Sequence, residues 1–125
     1  MPIAPHNGNE LKLMLEGSKH LAAFCDIYEK GKEISEDIIP ETSFHPYIID
    51  NKIIRFERVI FSTKNNNHIY YVCFTSAKNE WRAETYLWIR EQIHSEKIPY
   101  DNSCDIIIGR LLGYNETDIN DFINK

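Results

Sequence analysis

The sequence predicts an α+β domain: an antiparallel sheet of about four strands, a meander around a central hairpin, packed by helices and followed by a C-terminal helical hairpin. Three observations carry this. Ile53 to Ser76 holds two runs rich in β-branched and aromatic residues on either side of three consecutive asparagines. Residues 80 to 96 repeat apolar positions at helical spacing, and residues 103 to 123 read as two short helices punctuated by Gly113.

The central hairpin is the firmest element. Ile53, Ile54, Val59, Ile60, Ile69 and Val72 would crowd the preceding turn of a helix but fit a pleated surface. Asn65, Asn66 and Asn67 supply a turn, because asparagine tolerates left-handed backbone and can bond its own loop. Ile54, Phe56 and Ile60 alternate with Val59 and Phe61, and Tyr70, Val72 and Phe74 with Ile69, Tyr71 and Cys73. Neither face is polar throughout, so the hairpin is expected to be covered at least partly on both sides. Arg55, Glu57 and Arg58 must then pair or reach water.

The other elements follow in chain order. Residues 1 to 8 form an extended arm, and Asn9 caps a short helix over Glu10 to Glu16 that stops at Gly17. His20 to Tyr28 is a first strand. Glu29 to Thr42 is a charged, exposed connection, and its alternative reading is an acidic contact loop through Glu33, Glu36, Asp37 and Glu41. Pro46 pushes His45 toward extended backbone, which predicts a short strand over Phe44 to Ile49. Asn79 caps a long helix from Glu80 to about Glu96, with Glu80 and Glu84 favoured by its positive end. A further helix runs from Ser103 to Leu112, Gly113 stops it, and Asn115 or Thr117 caps the last.

Length and composition bound the function. A chain of 125 residues is one domain, 1 to 125, and its 42% apolar content supports a real core without staples. Cys25, Cys73 and Cys104 are odd in number and widely spaced, which predicts free thiols in a reducing compartment. No signal-peptide pattern opens the sequence, and no apolar run approaches membrane-spanning length, so the expected location is the cytoplasm. The net charge of -5 disfavours nonspecific contact with nucleic acid or anionic lipid.

IIIGRLLGYNETDINDFI resembles a helix-turn-helix over about twenty residues, a spacing shared by any short helical hairpin. A recognition helix there would present Glu116, Asp118 and Asp121 to a polyanion, with only Lys125 to offset them. DNA reading is therefore not expected.

Catalytic signatures are absent. The sequence holds no G-x-G-x-x-G, P-loop, H-E-x-x-H or G-x-S-x-G pattern. Glu91 and His94 form one E-x-x-H, where carboxylate-bridged metal bundles need two, so no metal and no cofactor is expected. The preferred expectation is a small acidic protein-binding module of inhibitor, immunity-protein or antitoxin character, engaging a basic protein partner. The alternative is a small hydrolase or transferase using Cys104, or Glu80 with Glu84, and a histidine brought from elsewhere. Oligomeric state has no signature in the sequence.

The expected partner-binding residues are Trp81, Glu84, Trp88, Glu91, Asp118 and Asp121. Trp81 and Trp88 are seven residues apart and share one side of a helix. Ala83, Tyr86, Leu87 and Ile93 centre on a neighbouring sector, so at least one indole should be partly available. The competing reading buries both beneath residues 103 to 125.

Overall fold

The computed structural model describes residues 5–124, which form a three-stranded antiparallel sheet with helices on both faces. The order is α1 (Glu10–Leu15), β1 (Leu21–Ile27), α2 (Glu41–Ile49), β2 (Ile53–Ser62), β3 (Asn67–Ser76), α3 (Glu80–His94), α4 (Asn102–Leu112) and α5 (Glu116–Ile123). Half of the expected extended arm, residues 1–4, and Lys125 lie outside the described residues, and residues 5–8 form a turn and not an extended segment.

β2 and β3 form the central hairpin, paired from Ile53 opposite Ser76 to Ser62 opposite Asn67. Asn66 takes φ +53° in the turn, the left-handed conformation asparagine accepts at least cost.

The four-stranded meander is not what forms. Residues 44–49 lie in α2, because Phe44, Tyr47 and Ile48 repeat at helical spacing and turn one apolar stripe onto the sheet. Pro46 sits inside this helix, where its missing N–H leaves the Thr42 carbonyl without its usual donor, and both residues are on the exposed side. With α2 as the connection, β1 pairs with β3 and not with β2, giving the order β1-β3-β2. β1 and β2 are each antiparallel to β3, hence parallel to each other, and such strands need a crossover segment. α2 provides it.

Alternation along the strands splits the core in two. On one face Leu21, Ile60, Tyr71 and Cys73 meet Ala83, Tyr86 and Leu87 of α3 and Ile108 and Leu111 of α4. On the other, Ala22, Ile53, Val72 and Phe74 meet Met14, Ile39 and Phe44, with Phe74 and Phe44 stacked at 4.0 Å between ring centroids. The charges of β2 find partners. Arg55 clamps Glu41 through two bonds of 2.9 and 2.7 Å and donates to Tyr70 at 2.9 Å, while Arg58 reaches Glu91 at 3.7 Å.

The expected C-terminal helical hairpin is matched in part: α4 and α5 pack on each other across Gly113, which takes φ +84°. The cap of α4 lies earlier than expected, at Asp101, whose carboxylate accepts from the amides of Ser103 and Cys104. Asn115 caps α5 by accepting from the Asp118 amide at 2.8 Å. Asn79 does not cap α3 in this way; its Oδ1 instead accepts from Arg82 Nε at 3.1 Å.

The C-terminal end of α4 carries a buried cation. Lys19, 1% exposed, donates from Nζ to the Leu112 carbonyl and lies 2.9 Å from His6 Nδ1, with the Tyr114 ring 5.1 Å away. It satisfies a carbonyl that the helix end leaves unpaired. Burial lowers the Lys19 pKa to about 8.

Cys25, Cys73 and Cys104 are free thiols. Among the described residues no helix is long and apolar enough to cross a membrane.

Candidate functional site

The outer face of α3 gathers four of the six expected partner-binding residues. At about 100° per residue Trp81, Glu84, Trp88 and Glu91 fall in one sector, while Ala83, Tyr86 and Leu87 turn to the sheet. Trp81 is 52% exposed and Trp88 56%, so neither is covered by the C-terminal helices. The inner residues already fill the sector facing the core, which leaves the indoles no place in it. Arg82 lies over the Trp81 ring at 4.7 Å, a cation–π contact that holds the indole against its own helix. Glu91 pairs with Arg58, and Glu84 is exposed with no ion pair among the described residues. The stripe is thus aromatic with a mixed-charge border, less acidic than the sequence suggests.

Asp118 and Asp121 stand apart from it. They belong to α5, which packs against α4. Asp118 lines a groove with Pro5, Tyr114 and Phe122, and Asp121 is exposed. They bear on the tryptophan face only through the long-range field.

The groups of the catalytic alternative do not converge. Cys104 is buried and its thiol donates to the Pro99 carbonyl at 3.4 Å. His6 meets Lys19, His20 meets Ser76, His68 packs on Phe61 and His94 meets Tyr71, so none of these four partners is Cys104. Glu80 accepts from the Lys78 amide at 2.7 Å at the helix start, and Glu84 lies exposed. Among the described residues no cluster of three metal-ligating side chains occurs.

The inner side of α3 holds a polar cluster that sequence reasoning missed. Arg90 occupies a partly buried position amid Tyr86, Tyr71 and Tyr100, with Nε donating to Tyr86 Oη at 3.2 Å and the guanidinium 5.2 Å from that ring. Tyr71 Oη and His94 Nε2 are 2.8 Å apart. Burial pushes the Tyr86 hydroxyl up to about 12, and burial followed by the Arg90 charge holds His94 below its usual value. His94 is therefore neutral near pH 7. The available signal was spacing: Arg90 falls four residues after Tyr86 and three before Ile93, on the apolar side of the helix.

No protein-family model, curated protein or solved structure matches this chain.

Proposed function

We propose that this domain is a protein-binding module whose docking surface is the outer face of α3. The observation that carries the reading is the pair of tryptophans, Trp81 and Trp88, both more than half exposed on one side of one helix. Large aromatics dominate the energetics of interfaces, and a lone exposed indole is unremarkable where two in register are not. The backbone beneath them is rigid, since the opposite side of α3 is anchored in the core. Such a platform binds without paying to order a loop.

The partner in this reading is a basic protein. The chain carries -5 overall, Glu84 lies between the two tryptophans, and Glu91 extends beyond them. Asp118 and Asp121 add to the field without touching the contact, which raises association rates and makes them salt-dependent. The inhibitor, immunity-protein or antitoxin character expected from the sequence belongs to this same proposal, as acidic single domains that act by occupying a basic partner.

The test compares proteins recovered from native extract on immobilised wild type, Trp81→Ala/Trp88→Ala and Glu84→Lys/Glu91→Lys. The reading expects a basic protein retained by wild type at low salt and lost from both variants, with a Glu33→Lys/Asp37→Lys control unaffected. Recovery that survives the tryptophan changes, or is lost only from the control, moves the interface to the loop between β1 and α2.

A further inference from the structure

A cleft of about 460 Å³ opens between the β2–β3 turn, the C-terminal end of α3 and the segment after it. Ser62, Lys64, Arg90, His94, Pro99 and Tyr100 line it, and it faces away from the tryptophan stripe.

Arg90 is the unusual member. A partly buried guanidinium is normally paired with a carboxylate, yet among the described residues none lies within 4.0 Å of it. Nε donates to Tyr86 Oη at 3.2 Å and the Tyr100 hydroxyl is a second neutral partner of the guanidinium, while among the described residues no carboxylate or carbonyl accepts from Nη1 or Nη2. Tyr86 and Tyr100 flank the group, and its two Nη donors form a fork. That fork matches two oxygens of a planar or tetrahedral oxyanion, as an ammonium does not.

The surroundings decide which oxyanion. Lys64 adds a second positive charge, and His94 is neutral near pH 7 because burial and Arg90 lower its pKa. Glu96 on the rim and Asp105 behind Tyr100 are the opposing charges, and each is already engaged, Glu96 accepting from Thr63 Oγ1 at 2.6 Å and Asp105 from Tyr100 Oη. Two cations whose neighbouring carboxylates are both engaged by hydroxyl donors suit a phosphoryl group better than a single carboxylate. Pro99 and the exposed ring of Tyr100 offer an apolar wall to whatever carries it.

We propose that this cleft binds a small organic phosphate, with Arg90 and Lys64 on the phosphoryl oxygens and the organic body against Pro99 and Tyr100. The site is independent of the docking surface on the opposite side of α3. A ligand bound here would brace the C-terminal end of that helix without covering its tryptophans.

The experiment is a titration of the ¹⁵N-labelled full chain with phenyl phosphate, inorganic phosphate and benzoate, read by amide shifts. Phenyl phosphate should give saturable shifts over residues 62–65 and 90–100, with inorganic phosphate several-fold weaker and benzoate at least tenfold weaker. Arg90→Gln should weaken phenyl phosphate at least tenfold. Lys64→Ala, at an exposed turn position, should weaken it several-fold with the rest of the spectrum unchanged, so the test survives if Arg90→Gln does not fold. Absence of saturable shifts, shifts centred elsewhere, or Lys64→Ala binding as wild type overturns the site. Benzoate binding as tightly as phenyl phosphate overturns the phosphate assignment.

Discussion

Each side of α3 carries an exception to the usual apolar-in, polar-out arrangement. Its outer side exposes two tryptophans, and its inner side takes in an arginine among tyrosines. Leu87 and Trp88 are adjacent in sequence, yet Leu87 is 2% exposed and Trp88 56%. Hydrophobicity alone does not sort these residues; angular position on the helix does. Departures from apolar-in and polar-out are informative because each carries a cost that packing does not explain, and here there is one on each side of the same helix.

The largest expected effect separates those neighbours. Leu87→Ala should destabilise the fold by about 2–5 kcal/mol, through lost burial and the cavity left between α3 and the sheet. Trp88→Ala should change stability by about 0.5 kcal/mol or less, despite removing the larger side chain. Urea denaturation measures both. Similar losses for the two would mean that Trp88 is packed and that the contrast is false.

A second test addresses the buried cation at the C-terminal end of α4. Lys19 has its pKa lowered to about 8 by burial, against 10.5 unfolded. Between those values the unfolded chain binds more protons, so this group makes folding more favourable as pH rises through that window. Stability of wild type relative to Lys19→Met should therefore climb by about 3 kcal/mol from pH 8 to pH 10.5. Taking the difference removes the opposite trend from Cys73, Tyr86 and Tyr114, whose pKa values are raised to about 12 and which protect the fold less as their unfolded counterparts ionise. A flat difference would show that Lys19 is solvated.

A third, smaller effect lies where α4 meets α5. A Cβ at Gly109 would come within 2.9 Å of Ile119 Cγ1. Gly109→Ala should cost about 1 kcal/mol after its gain in helix propensity, and the cost should shrink in an Ile119→Ala background. Additive losses would mean that the two helices do not touch there.

The sequence made some of this legible and concealed the rest for physical reasons. The β2–β3 hairpin could be read because alternation of period two and an asparagine turn coincide, and α3 because its apolar residues repeat at 3.6. α2 was hidden by Pro46, whose local bias toward extended backbone was outweighed by the burial of Phe44, Tyr47 and Ile48. The pairing of β1 with β3 was hidden with it, since strand order depends on what connects the strands. Of the six expected site residues, four share a face because helical spacing is local information. Asp118 and Asp121 could not be placed relative to them without the packing of α4 and α5. Arg90 went unseen because a charge among apolar positions reads as a gap in the pattern and not as a member of it.

The exposure of both indoles is the claim on which the docking surface depends. Acrylamide quenching of intrinsic fluorescence tests it directly, because Trp81 and Trp88 are the only tryptophans in the chain. Quenching in the native protein should be nearly as efficient as in urea, and each single Trp→Phe variant should behave alike. A several-fold increase on unfolding, for either tryptophan, would show that its ring is covered and would contradict the account.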